Sequence, residues 1–511
     1  MLRLKGKNSM DNNLGREFFK FQDILRELEY IKYTLNGLMI WDNLKNLPEE
    51  ALEYRKKVMD YFIKEYYKKI SSIEFRKFYQ KLENKKEKNQ EEKAILRSIK
   101  KEFEYIQKIP LKEYSEYLKM LREVEEEWKR EKNIGDYTKV KKQLEDIFEL
   151  VRKFTKYWGN ENNPYELLIK YYEKDLSIEK LDNSIEKMKL ELLPLLKNIL
   201  SISKGNQTKL LLENKEEEKQ LKLSKKIVEL LGFDLKKGRI DSGEYPTTLS
   251  NTSSDVRIIT TFTEDILTGI YNTLHECGKG LYEQGIDQKL LGSFLAEIPS
   301  QLLNEAIAKI YENRIGRNKG FTNLLLKEIK DIFPEFDYLT EDEFYKIVNE
   351  VKKIPIRIEA DELNYNFHII LRYELEKELL NKDITFDELF ERNKEKYEKY
   401  LDIELQKERD GVLQDVHWVS GYIGFFPIYI IADIVAAQLV EKFEKEEDSL
   451  ENIIKNREFL RIKRWFTEKI FKTGSLYNFE EILWNIAKED INPDSYIRYM
   501  KSKYKSLYKI N

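Results

Sequence analysis

The sequence predicts a mainly α-helical chain with one small β-region, and three observations carry that reading. Only 10 prolines and 20 glycines interrupt 511 residues, so helices can run long without a breaker. Apolar residues recur at three- and four-residue spacing through most of the chain, the period of a helix with one buried face. Charged residues make up 36%, as expected where many helices turn a second face to water.

The longest helical patterns lie in residues 16–200. "REFFKFQDILRELEYIKYTLNGLMIWDNL", "EEALEYRKKVMDYFIKEYYKKI" and the more charged "KLENKKEKNQEEKAILRSIKKEFEYIQ" all keep helical spacing. The runs "ENKKEKNQEEK" and "NKEEEKQ" read as solvated helix faces, and "GNENNP" and "SISKGNQTK" read as connections. Between residues 238 and 262 the texture changes: turn formers cluster, and "DVRIITTF" is β-branched enough for one strand of a hairpin. Helical patterns then continue to the C-terminus. No internal repeat, glycine-rich phosphate loop or sustained heptad marks a domain boundary.

Composition narrows the function classes. Acidic and basic residues nearly cancel, leaving a formal charge of -3, so bulk charge gives no nucleic-acid footprint. The opening "MLRLKGKNSMDNNLG" has no signal-peptide h-region, and no apolar run is long enough to span a bilayer. The lone cysteine, Cys277, cannot form an intrachain disulfide and fits a reducing compartment. A cytoplasmic protein without nucleic-acid or membrane partners is the expectation. With 41% hydrophobic residues, a large buried core is affordable.

Chemistry concentrates on few residues. The chain has 3 histidines, His275, His368 and His417. "LHECGKGLYEQG" opens like a zinc-peptidase helix, in which H-E-x-x-H puts two ligands on one face and a glutamate beside them to act on metal-bound water. Here the second ligand position is Lys279. Glu305, in "LNEAIAKIYENRIGRNKGF", is a carboxylate on a later helix of the kind that supplies a third ligand; by itself it reads as an exposed glutamate.

Several segments, in order over nearly the whole length, resemble the carboxypeptidase Taq family of zinc metallocarboxypeptidases. "LMIWDNLKNLPEEALEYR" is similar to its W-D-x-x-T-x-M-P segment, "DVRIITTF" to D-x-R-x-T, "HECGKGLYEQG" to H-E-x-x-H-A-L-Y-E-Q-G, and "NEAIAKIYENRIGR" to H-E-S-Q-S-R-L-W-E-N-x-x-G-R. "IRIEADELNYNFHIILRYELE" resembles its I-R-x-x-A-D segment and "GVLQDVHWVSGYIGFFPIY" its G-x-x-Q-D-x-H-W segment. The resemblance implies one helical peptidase body over residues 1–511, with an N-terminal helical lid at 16–200 and a groove and active-site region at 238–511. A long substrate groove should lie between them, with the small sheet beside the H-E-x-x-K helix. It also implies a homodimer, peptide C-termini as ligands, metal ligation at His275, position 279 and Glu305, Glu276 as general base, and substrate contacts from Arg257, Arg357, Gln414 and His417.

The departures fall on the chemical positions. Lys279 replaces the second histidine, Asn304 the histidine before the third ligand and Lys309 the arginine after it. Tyr245, Pro246 and Thr247 stand for H-P-F, Thr261 for the arginine ending D-x-R-x-T-T-R, and Phe425 for the tyrosine of G-Y-F-P. A catalytic zinc needs three protein ligands and an open position; an ammonium beside two carboxylates stays charged and has no lone pair. The sequence therefore predicts a degenerate site with no cofactor and little or no hydrolysis, in which Lys279 pairs with Glu305 and Glu276. The alternatives are an active carboxypeptidase holding zinc or another divalent metal, and a dimeric scaffold. Local readings stand beside these roles. His417 and His368 also suit hydrogen-bonded core positions, Arg357 an ion pair with Glu359 or Asp361, and Cys277 a small buried helix residue.

Overall fold

The computed structural model describes residues 12–43, 48–105, 108–159, 163–202, 212–214, 216–243 and 245–510, with backbone alone for 12–19, 39–43, 49, 52, 101–104 and 111. Most of "SISKGNQTK" and the side chains of Trp41 and Asp42 in the W-D segment lie outside that description. Helices run in the order α1 (Asn12–Asn43), α2 (Leu52–Ile70), α3 (Ile73–Glu83), α4 (Gln90–Tyr105), α5 (Leu111–Ile134), α6 (Thr138–Trp158), α7 (Pro164–Tyr172), α8 (Ile178–Ile202) and α9 (Glu217–Leu230). Strands β1 (Gly238–Ser242), β2 (Thr247–Thr252) and β3 (Asp255–Thr260) follow. Then come α10 (Ile266–Gly285), α11 (Gln301–Lys309), α12 (Lys319–Ile332), α13 (Glu341–Val348), α14 (Glu362–Asn381), α15 (Leu389–Leu401) and α16 (Phe426–Glu446). The chain closes with α17 (Leu450–Lys455), α18 (Phe459–Lys469), α19 (Phe479–Ala487) and α20 (Asp494–Tyr508).

The fold is mainly α with one small sheet. β2 and β3 form the expected antiparallel hairpin, and β1 adds a third strand parallel to β3, pairing Gly238 with Val256 and Ile240 with Ile258. Turn formers in "GRIDSG" conceal that strand, whose single buried position is Ile240. The sheet lies against α10. The charge run from Glu83 is not one helix face: α3 stops at Glu83 and α4 starts at Gln90. Asn89 caps α4 by accepting from the Glu92 amide at 2.8 Å, while Glu92 accepts from the Asn89 amide at 3.1 Å, a reciprocal cap that charge periodicity alone hides.

Packing divides the hydrophobic interior in two. A small cluster joins α1 to α4 around Phe21, Leu25, Leu28, Phe75 and Ile95. The large cluster takes in α5 through α20, so α5 to α8 pack with the body and the separately packed N-terminal unit ends near Tyr105. α16 is buried nearly all round and packs along α11, as a helix apolar on every side must. Among the described residues no helix is long and apolar enough to cross a membrane.

Candidate functional site

Helix α10 starts cleanly because Asp265 accepts from the Leu267 amide at 3.2 Å, and Ser300 starts α11 by accepting from the Leu303 amide at 3.1 Å. The two helices meet at Gly278. A Cβ there would stand 2.9 Å from the Ala308 Cα and 3.0 Å from the Ile307 carbonyl, so only a glycine lets the backbones approach this closely. The next residue is Lys279, one helical turn beyond His275 and on its face.

The close approach assembles a chain of alternating charges. Lys279 Nζ lies 2.9 Å from Glu305 Oε1 and 3.5 Å from Glu276 Oε1. His275 Nε2 reaches Glu305 Oε2 at 3.3 Å, and its Nδ1 meets Glu312 Oε2 more tightly at 2.8 Å. Lys309 Nζ donates to the same Glu312 oxygen at 3.0 Å and lies 4.1 Å from the centre of the Tyr365 ring. Thr248 Oγ1, on β2, donates to Glu276 Oε2 at 2.7 Å. Glu312 belongs to a π segment, Ile310–Ile315, continuing α11; such widened turns re-aim side chains and concentrate at functional sites.

Electrostatics lock the charged forms. Burial alone would lower the Lys279 ammonium, but the Glu276 and Glu305 carboxylates outweigh it and raise it well above the ordinary lysine value. Burial would raise Glu305, but Lys279 and His275 hold it far below the carboxylate range. Glu312 is depressed in the same way against burial, by Lys309 and His275. Burial and Lys279 push His275 down, and its contacts with the Glu305 and Glu312 carboxylates more than offset them, so the imidazole is raised.

These residues do not fit the zinc site the resemblance implies. Among the described residues no group of three or more His, Cys, Asp and Glu side chains is arranged to hold a metal ion. The charged Lys279 offers no lone pair, Glu305 spends an oxygen on it, and Glu276 has Thr248 on one oxygen and Lys279 facing the other. The arrangement can hold charge in place and present a rigid polar wall. It does not offer three ligands around an open position.

The other predicted contacts divide. Arg357 pairs with neither Glu359 nor Asp361. Its Nε donates to Asp415 Oδ1 at 2.7 Å and its Nη1 to the Tyr365 hydroxyl at 3.2 Å, while Arg372 Nε donates to the second Asp415 oxygen. Asp361 is occupied in capping α14, accepting from the Leu363 and Asn364 amides at 3.1 and 3.0 Å. Gln414 is tied up by the protein itself: its Oε1 accepts from the Arg357 amide at 2.8 Å and its Nε2 donates to the Tyr397 hydroxyl at 2.8 Å. His417 contacts the Tyr429 hydroxyl through Nε2 at 3.2 Å and packs on Phe426 with ring centres 4.4 Å apart. Burial and then Arg357 push this imidazole down to about 3, so it is neutral near pH 7. Arg257 lies on β3 with Nε on Asp255 at 2.6 Å; among the described residues nothing joins it to the charged chain.

His368 is fully buried and meets the Ile354 backbone, but among the described residues its ring nitrogens make no well-formed hydrogen bond. Cys277 is buried and burial raises its thiol. Of the substituted positions, Thr261 donates to the Gly243 carbonyl at 3.2 Å, Tyr245 is 43% exposed, and Phe425 packs edge-on to Tyr172 and Tyr429. Asn304 Oδ1 is buried without a hydrogen-bond partner among the described residues. Sequence reasoning misses Thr248, Glu312 and Asp415. Glu312 does leave a signal, two helical turns after Glu305; a strand hydroxyl and a carboxylate from a distant turn leave none.

Residues 20–504 match the family pattern described as carboxypeptidase Taq (M32) metallopeptidase. Carboxypeptidase 1 of Bacillus subtilis (strain 168) is 32% identical over 496 residues, which span 96% of this chain and 98% of that protein. The solved structure of Pyrococcus furiosus carboxypeptidase superposes with a TM-score of 0.92 at 28% identity, covering 98% of this chain and 100% of that one. The M32 carboxypeptidase of Deinococcus radiodurans R1 superposes with a TM-score of 0.91 at 26% identity, covering 97% and 100%.

Proposed function

This chain belongs to the carboxypeptidase Taq (M32) metallopeptidase family, and from that premise we propose that it is a member in which a lysine has taken the metal's place, so that it binds peptides by their C-terminal ends with little or no cleavage. One observation carries the proposal: the Lys279 ammonium, at the position of the second ligand, lies 2.9 Å from Glu305 and 3.5 Å from Glu276. The cation that those carboxylates need is supplied by the chain. A zinc ion would have to displace it and then bind through too few ligands.

Retention of the scaffold supports a binding role. The family pattern runs through residue 504, and Arg357, Asp415 and Arg372 form an internally braced cluster, with His417 packed on Phe426. Two arginines share the single Asp415 carboxylate, which suits an acidic ligand group such as a peptide C-terminus. Arg357, Gln414 and His417 then shape the groove wall. A homodimer is part of the proposal and is checked by light scattering on the purified protein.

Three measurements on the full chain test this reading. Elemental analysis should find no stoichiometric metal. Peptides with varied C-terminal residues should show no turnover above background with zinc or cobalt added. The same peptides should bind in a fluorescence titration and lose affinity when their C-termini are amidated. Stoichiometric zinc with chelator-sensitive release of C-terminal residues would instead establish a working carboxypeptidase. Absence of both metal and peptide binding would leave a scaffold.

A further inference from the structure

The connection from α10 to α11, residues 286–300, joins the helix of His275, Glu276 and Lys279 to the helix of Glu305. It does not simply bridge them. Its middle, Phe294 and Leu295, leaves the body and completes the hydrophobic cluster of α1 to α4, where the two side chains are 2% and 0% exposed. Leu290 packs against both clusters. The core of the N-terminal unit is thus finished by residues lying between the two helices of the charged site.

The connection is held on both sides. Glu29 on α1 accepts from the Gly292 amide at 2.6 Å and the Phe294 amide at 2.8 Å. Lys32 reaches Glu297 at 3.0 Å and lies 4.5 Å from the centre of the Phe294 ring. On the body side, the Ser475 amide donates to the Leu295 carbonyl at 2.9 Å. The neighbouring Gly474 has φ 50°, and a Cβ there would stand 2.1 Å from that carbonyl oxygen. Arg97 on α4 then donates to the Ser475 and Leu476 carbonyls at 2.8 and 3.1 Å. Phe294 itself has φ 64°, a left-handed conformation that a bulky residue keeps only where its surroundings over-determine it. A second link runs through the sheet: Asn36 on α1 donates to the Ser250 carbonyl of β2 at 3.1 Å, and β2 also carries Thr248, the donor to Glu276.

We infer that this connection couples the N-terminal unit to the charged site, with Phe294 as the positioning residue: the seating of α1 to α4 sets the spacing of α10 and α11, and the Lys279–Glu305 contact in turn holds that unit seated. A peptide in the groove would then be felt by the N-terminal unit. The coupling rests on these contacts and holds for a catalytic or a non-catalytic chain alike, so its failure and that of the proposed function are separable.

Native-state amide exchange on the full chain tests it, because coupling between two sites is reciprocal. Phe294→Ala should speed exchange about tenfold or more in residues 272–280 and 301–309 as well as in α1 to α4. Lys279→Met should speed exchange in residues 20–38, although Lys279 touches none of them. Faster exchange confined to the mutated side in either variant overturns the inference, and so does equal acceleration in α20, which would mark a loss of global stability and not a coupling of the two sites. Glu29→Gln keeps one acceptor for the two amides, removes the charge and leaves both hydrophobic clusters complete. Should Phe294→Ala fail to fold, Glu29→Gln must produce the same two-sided response, and a response limited to α1 and residues 286–300 rejects the coupling.

Discussion

At the position where an H-E-x-x-H helix would carry its second histidine, the consequence of Lys279 is energetic before it is catalytic. Its side chain is 16% exposed, against 4% for Glu276 and 7% for Glu305, so deleting the ammonium leaves two desolvated carboxylates with only His275 beside them. Removing one partner of a buried pair costs about 3 kcal/mol. Lys279→Met is expected to lose roughly that much unfolding free energy at pH 7, read by urea denaturation; a loss of under ~1 kcal/mol, the scale of an exposed pair, would mean that water already screens the site. Lysine and histidine hold the folded-state Glu305 far below its ordinary range against the pull of burial. A depressed acid stabilises above its unfolded value and loses that contribution as pH falls, so the gap between wild type and Lys279→Met should narrow on acidification. Lys279→His replaces the cation with a ligand. Calorimetry should then detect zinc binding, with little turnover, because Asn304, Thr261 and Phe425 remain. His275, Glu276 and Lys279 are legible because helical spacing fixes their common neighbourhood. The partner of Arg357 is not: local spacing points to Glu359 or Asp361, whereas tertiary packing supplies Asp415 from 58 residues away.

Between elements, the site depends on how α10, α11 and α14 are held. Gly278→Ala would press a methyl against the Ala308 backbone at 2.9 Å, and overpacking of this kind costs about 1–3 kcal/mol. A matching loss in denaturant midpoint is expected, with no change in helical content by circular dichroism. Helix α14 contributes a second brace. Glu376, fully buried, accepts from the Tyr165 hydroxyl at 2.7 Å, Trp418 Nε1 at 2.7 Å and the Gly424 amide at 3.1 Å, tying α7 and the turn after His417 to one carboxyl. Burial pushes it up to about 7. A raised acid contributes stability that is full below its unfolded value and is lost as pH rises through the folded one. Glu376→Gln cannot titrate, so its melting temperature relative to wild type should climb from pH 5 to pH 8; a flat difference would show that Glu376 does not titrate in that window. The helices were readable from apolar periodicity, while the third strand and the π segment were not. Both show only in tertiary context: β1 exists by pairing with β3, and the widened turn carries Glu312, which meets His275.

Across the molecule, the family pattern made the fold legible over nearly the full length, whereas the division of the interior into a small cluster of α1 to α4 and a larger one is not written in it. Helical periodicity marks which face is buried and says nothing of which core it is buried in. The same distinction governs the metal. A ligand that binds only the folded state stabilises it by about 2.7 kcal/mol at a hundredfold excess over its dissociation constant, and by each further tenfold excess about 1.4 kcal/mol more. If a resident metal held His275 and Glu305 together, adding a strong chelator would remove that contribution and lower the melting temperature by several degrees. In this chain the same two residues are joined directly, with Lys279 and Lys309 completing the charge balance. Scanning calorimetry in chelator and in excess zinc should therefore give coincident transitions for the wild-type protein, whereas Lys279→His should gain stability from zinc and lose it to chelator. A wild-type transition that moves by several degrees between the two conditions would place a metal at the site after all and return the chain to the catalytic members of its family.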